Sequence, residues 1–236
     1  MAKRVFERSE KKYLVPTSHY RALREVLDAH MQEDEYKEYT VCNLYFDTDG
    51  NDLIRRSIEK PRYKEKLRLR SYGTVTDSDT VFLEIKKKFK GVVYKRRIVL
   101  PYGEAKAYIY DGIPPSVTGQ IFREIDYFIH FYNAYPKRFL SYDRTALSGV
   151  GEEKSLRVTF DRNIRSRTDR LDLSIPPDGE ALLPDDVYLM EIKADGAMPL
   201  WLAETLTRLE LYPTSFSKYG RVYAKDMDKN RNKGDT

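Results

Sequence analysis

The stretch RYKEKLRLRSY, residues 62–72, decides the fold. Successive side chains of a strand point to opposite faces, so Lys64, Lys66, Arg68 and Arg70 form one row while Leu67 and Leu69 lie behind them. A period of two argues for a strand with one charged and one apolar face, not for a helix. The rhythm recurs: Glu84, Lys86 and Lys88 share a face of VFLEIKKK (81–88), Lys95 and Arg97 one of VVYKRRIVL (92–100), and Arg8, Glu10 and Lys12 one of FERSEKKYLV (6–15). On a single strand such alternation is ordinarily a solvated face. The rows here are mostly of one sign, and like charges directly opposite across strands cost roughly 0.2–1 kcal/mol per pair. A bound polyanion would cancel that cost.

Outward from this stretch, strands at 62–72, 80–90 and 92–101 form a meander, with turn signals at Gly73 to Asp79 and at Lys90-Gly91. Before it, a strand over 5–15 ends at Pro16. An amphipathic helix to about residue 31 follows, marked by Tyr20, Leu23, Leu27 and His30, and then a strand at 39–48 and a short helix at 52–59. After it, Val117, Ile121, Ile125, Phe128 and Ile129 predict a helix over 116–132, with strands near 137–147, 155–164 and 186–194 and a helix after Pro199. The segment FSKYGRVYAKDM closes a single domain over 1–228, and the polar tail from 229 reads as disordered. Strands in runs without regular helical crossovers predict an antiparallel α+β protein. Its charged face either meets water or lines a closed tunnel.

Apolar residues make up 41% of the 236, enough for a core, and the formal charge is only +5, so the positive charge is concentrated in a focused site. One cysteine, Cys42, excludes an internal disulfide framework and suits a reducing compartment. No apolar run reaches about 18 residues and the N-terminus lacks a signal-like segment, so the reading is a cytoplasmic protein. No GxxxxGK[ST] motif holds ATP in the P-loop manner. His19, His30 and His130 fall on helices away from the charged strands, and Trp201 lies in an apolar helix stripe; all four read as structural.

Nine pieces in order resemble the triphosphate tunnel metalloenzymes, the CYTH-like superfamily, and most of all their VTC branch, the polyphosphate polymerase catalytic domain. They are RSEKKY (8–13), LYFDT (44–48), KLRLRSY (66–72), VFLEIKKK (81–88), YKRRIVL (94–100), SYDRTAL (141–147), LRVTFDRNI (156–164), LMEIK (189–193) and SFSKYGR (215–221). The resemblance implies an eight-stranded antiparallel closed tunnel with helices packed outside. It implies that Lys12, Arg68, Arg70, Lys86, Lys95, Arg144, Arg157 and Lys218 contact phosphates, with Tyr142 and Ser217 as neutral donors. Of these, Lys12, Arg68, Arg70, Lys86, Arg144 and Lys218 are the expected catalytic set. Lys66, Lys88, Arg97 and Lys193 join the phosphate-binding rows by their strand faces. Glu191 is the expected ligand of Mn²⁺ or Mg²⁺, with Glu10 and Glu84 behind it. The superfamily signature ExExK reads Arg8, Glu10 and Lys12 here. A cation in place of the first acid weakens a metal-recruiting cluster and adds a phosphate ligand, which shifts the expectation from hydrolysis to polyphosphate synthesis.

Phosphoryl transfer passes through a loose transition state, so positioning and electrostatics carry the catalysis. The implied reaction moves the γ-phosphate of ATP to an inorganic polyphosphate chain. Two rivals remain: a hydrolase of tripolyphosphate or nucleoside triphosphates on the same fold, and a non-catalytic polyphosphate-binding module. The basic rows carry little interleaved Tyr or Phe for base stacking, which argues for bare phosphates over nucleic acid as the expected partner. A membrane-protein partner stays open, as among eukaryotic relatives.

Overall fold

The computed structural model describes residues 8–234. In chain order its elements are β1 (Arg8–Pro16), α1 (Thr17–Leu27), β2 (Met31–Asp47), α2 (Asp52–Ile58), β3 (Tyr63–Tyr72), β4 (Thr80–Phe89), β5 (Val92–Pro101), α3 (Tyr102–Asp111), α4 (Gln120–Tyr132), β6 (Tyr135–Gly149), β7 (Arg157–Arg167), β8 (Glu180–Ala181), β9 (Val187–Asp195), α5 (Leu200–Arg208) and α6 (Lys218–Gly234). By internal contacts the chain divides into two units, one of residues 1–39, 142–164 and 183–216, the other of 40–141, 165–182 and 217–236. Strands β2, β6 and β7 each contribute residues to both.

In the first unit β1 pairs antiparallel with β9 from Arg8↔Asp195 to Pro16↔Val187, and β9 pairs with β7 from Arg157↔Lys193 to Asp161↔Leu189. Alternation then sorts the side chains. Tyr13, Val15, Val158, Phe160, Met190 and Ile192 face Leu23 and Leu27 of α1 and Leu202 and Leu206 of α5. Tyr20 of α1 stacks on Tyr188 at 4.3 Å between ring centroids and meets Phe160 edge-on at 5.0 Å. The opposite face carries Glu10, Lys12, Thr159, Glu191 and Lys193.

The second unit is built on the meander. Register pairs Tyr45↔Arg68 and Asn43↔Arg70 between β2 and β3, Lys66↔Lys86 and Arg68↔Glu84 between β3 and β4, and Lys86↔Lys95 and Glu84↔Arg97 between β4 and β5. Leu67, Leu69, Leu83 and Ile85 lie behind this charged face, buried against Tyr102, Ala105 and Tyr108 of α3 and Ile125 and Phe128 of α4. Each such side chain contributes roughly 1.5–3 kcal/mol by leaving water. The buried Asp47 accepts hydrogen bonds from the backbone N–H groups of Leu53 at 2.9 Å and Ile54 at 3.0 Å, capping α2, and from Tyr219 Oη at 3.0 Å.

Several expectations are corrected. Strands number nine among the described residues, with the two-residue β8 the addition. Strands β1 and β5 each have a single pairing neighbour among the described residues. Helix α3 takes residues that carried no helical signal. Helix α6 runs to Gly234, and Lys225 and Lys229 on it reach Glu180 at 2.7 and 2.5 Å. Residues 5–7 of the expected first strand and 235–236 of the tail lie outside the described residues.

Candidate functional site

On the charged face of the meander, Glu84 is the centre. Its side chain is only 2% exposed, and Arg68 reaches it with Nε at 2.8 Å and Nη2 at 2.7 Å. Arg70 Nη1 stands 3.8 Å from the same oxygen, and Lys95 Nζ lies 2.8 Å from the other. The Lys95 contact is a charge pair without the alignment of a hydrogen bond. Burial pushes the Glu84 carboxyl up, but Arg68, Arg70 and Lys95 outweigh it and hold the group at about 2. Burial, with Arg68 and Arg70 beside it, pulls Lys95 below the usual lysine range despite the facing carboxylate. Three cations against one anion leave this face with net positive charge.

Strand β2 supplies the supports that sequence reading missed. Asn43 Oδ1 accepts from Arg70 Nε at 3.1 Å while its Nδ2 donates to Leu140 O at 3.1 Å, so the guanidinium plane is fixed. Arg68 Nη1 donates to Tyr45 Oη at 3.3 Å, and the Tyr45 ring stacks on Tyr219 at 4.8 Å. Burial raises the Tyr45 phenol, but the Arg68, Arg70 and Lys66 charges prevail and bring it down to about 8. The signal was present: Asn43, Tyr45 and Asp47 alternate with Leu44 and Phe46 as a polar row.

Towards the start of β3 the face holds lysines. Lys64 stands opposite Lys88, and Lys66 opposite Lys86, which is itself opposite Lys95. Burial and the ammonium groups of Lys88, Lys86 and Lys60 lower Lys64, whose Nζ donates to Ser57 O at 2.9 Å. Lys66 Nζ reaches Ser217 Oγ at 3.4 Å. That hydroxyl also accepts from Gly220 N at 3.2 Å, so Ser217 caps α6 and sets Lys218 as its first residue. A Cβ on Gly220 would come within 3.2 Å of the Ser217 hydroxyl, a tight contact that would press on the cap. Arg97 lies over the Phe82 ring at 4.9 Å.

The first unit gathers a second group. Lys12 Nζ is 3.5 Å from Glu10 and 3.7 Å from Glu191, and Lys193 Nζ is 3.9 and 3.4 Å from the same two carboxylates. Lys12 also donates to Phe216 O at 2.9 Å. Arg144 grips the fully buried Asp161 in a fork, Nε at 2.7 Å and Nη2 at 2.8 Å, with its Cζ 5.0 Å from the Tyr142 ring. Burial opposes its charge, but Tyr142, Asp161 and Glu191 hold Arg144 well above the ordinary range. Arg157 is turned to Asp34 at 2.6 Å and to Ser148 at 3.4 Å. The Arg8 side chain lies outside the described residues.

For a divalent cation the donor sets differ. Glu10 and Glu191 are partly exposed, and both keep more than 3.3 Å from the lysines, so their oxygens fit an ion that completes its shell with phosphates and water. Glu84 fits poorly: three cations already surround it away from water. Among the described residues no cluster of three or more His, Cys, Asp or Glu could hold a metal without such a substrate.

A family model described as the VTC domain matches residues 7–225. Among solved structures, the chain is similar to a candidate adenylate cyclase from Bacillus halodurans at 18% identity, covering 88% of this chain and 92% of that one with a TM-score of 0.57. It is also similar to a candidate adenylyl cyclase from Hippeastrum with a dominant triphosphatase activity, at 14% identity, covering 92% of this chain and 95% of that one with a TM-score of 0.51. No curated protein matches the chain. At these identities the likeness shows the fold, an antiparallel α+β fold of the triphosphate tunnel type.

Proposed function

Because the chain belongs to the VTC-domain family, we propose that it is a polyphosphate polymerase that moves the γ-phosphoryl group of ATP onto an inorganic polyphosphate chain. The observation that carries this reading is the cation face centred on Glu84, where like charges stand opposite one another at Lys64↔Lys88, Lys66↔Lys86 and Lys86↔Lys95. A linear polyanion relieves that repulsion. Arg68 and Arg70, held by Glu84, Tyr45 and Asn43, offer planar donors to the phosphates nearest the reaction, and lysines offer point charges along the rest.

In the proposed step a terminal oxygen of the acceptor chain attacks the γ-phosphorus. The bond from that phosphorus to the β–γ bridging oxygen breaks, and ADP leaves with the electron pair. The attacking oxygen is already ionised at neutral pH, so no general base is required. Lys12, Lys86, Arg144 and Lys218 complete the expected catalytic set, with Lys66, Lys88, Lys95, Arg97, Tyr142, Arg157, Lys193, Ser217 and Arg8 as further phosphate contacts. Arg144, fixed by Asp161, presents its remaining N–H groups without reorganisation. Glu191 and Glu10 would hold Mn²⁺ or Mg²⁺, which when bound withdraws charge from phosphate oxygens.

The triphosphatase activity of the Hippeastrum protein favours one second reading, transfer of the same phosphoryl group to water. Incubation with ATP and Mn²⁺ separates the two. The polymerase reading expects long chains by gel electrophoresis alongside ADP; ADP and free phosphate alone would replace it with the hydrolase.

A further inference from the structure

A surface of the second unit plays no part in the phosphate face. The register places Tyr63, Phe89 and Val92 in one row across β3, β4 and β5, on the face opposite Lys64 and Lys88. This row continues the apolar side of the sheet, but it is not buried: Phe89 is 47% exposed and Val92 53%. The Tyr63 and Phe89 rings meet edge-on at 6.4 Å. The next row, Glu65, Lys87 and Tyr94, is where α4 arrives, with Tyr132 Oη donating to Glu65 at 3.0 Å. Phe131 packs against Tyr132 at 4.8 Å and stacks on Tyr127 at 5.4 Å, yet Tyr127 and Phe131 are both about two-thirds exposed. Large rings and branched side chains left in water in one region mark an interaction surface.

The rim is cationic. Lys90 and Gly91 have φ of 46° and 89°, so a tight two-residue turn joins Phe89 to Val92 and makes the tip a defined finger. Lys90 lies over the Phe89 ring at 5.4 Å, and its N–H donates to Arg62 O at 2.9 Å, which brings the 60–62 loop beside the hairpin. Among the described residues Lys60, Arg62, Lys88 and Lys90 are paired with no carboxylate. A second copy of the chain fits this surface badly, because antiparallel pairing of two β5 strands would bring the Lys95–Arg97 run against itself.

We infer that the β4–β5 hairpin tip, with the exposed face of α4, docks on an anionic lipid bilayer. Phe89, Val92 and the tyrosines enter the headgroup boundary, where aromatic rings with polar tips are at home, and Lys60, Arg62 and Lys90 meet lipid phosphate and carboxylate groups. The full chain is tested by co-sedimentation with phosphatidylcholine vesicles, with and without phosphatidylserine. The expected result is sedimentation with the anionic vesicles only, lost at high salt. The Arg62→Glu/Lys90→Glu variant should stay in the supernatant. The Phe89→Ser/Val92→Ser variant, which keeps every charge, should bind roughly tenfold or more weakly. Melting curves establish that both variants fold. Failure of the wild type to sediment would overturn the proposal and leave the surface to a protein partner. Equal binding by the serine variant would overturn it too, since adsorption would then rest on charge alone.

Discussion

At Glu84 a single carboxylate holds Arg68, Arg70 and Lys95 in place. Its folded value of about 2 lies below the 4.5 of the free side chain. A depressed carboxyl contributes stability that is fully present above its unfolded value and is lost as pH falls towards the folded one. Acid unfolding is therefore expected to include a component between about 4.5 and 2 that Glu84→Gln removes, read by circular dichroism against pH. At neutral pH the same change should cost about 1–3 kcal/mol, less than for a fully enclosed pair because Arg68 and Lys95 retain access to water. It should also tighten triphosphate binding, since the internal anion no longer competes; weaker binding would mean that Glu84 chiefly orients the arginines. Tyr45 gives a second residue-scale test. Its phenol is expected to ionise near 8 in a tyrosinate absorbance titration, to vanish from the curve in Tyr45→Phe, and to move upward when triphosphate draws Arg68 away.

Among the elements, α6 depends on its start. Ser217→Ala removes the cap from Gly220 N and the contact with Lys66, and is expected to lower stability by about 1 kcal/mol, with Thr restoring most of it. Asp47→Ala strips acceptors from Leu53 N, Ile54 N and Tyr219 Oη together, so a loss of roughly 3 kcal/mol or more is expected in a denaturant melt. The charged strands were legible because a period of two needs no knowledge of partners: β3, β4 and β5 start and end within a residue of their expected bounds. Elements held by distant ion pairs were not. The acidic MQEDEYKE run at 31–38 shows no apolar alternation, yet it is strand because Asp34 meets Arg157 and Glu38 meets Arg162. The last turns of α6 lack an apolar stripe and rest on Glu180 and on the Arg138–Asp226 pair. In α3, YGEAKAYIYD carries glycine at its second position and no clean stripe, while its tyrosines gain hydrogen-bond partners from Asp126, Leu171, Asp172 and Leu173. At the site the cations were legible, and the polar row of Asn43 and Tyr45 was too, but which arginines that row and Asp161 hold was not, because each contact joins residues 17 or more positions apart.

Over the whole molecule each unit presents a charged sheet face backed by its own apolar core. No described helix is long and apolar enough to cross a bilayer. The most direct test is a crystal structure with tripolyphosphate and Mn²⁺. Phosphate oxygens are expected within hydrogen-bond distance of Arg68, Arg70 and Lys86. An anion bound elsewhere, with Arg68 still closed on Glu84, would contradict that expectation.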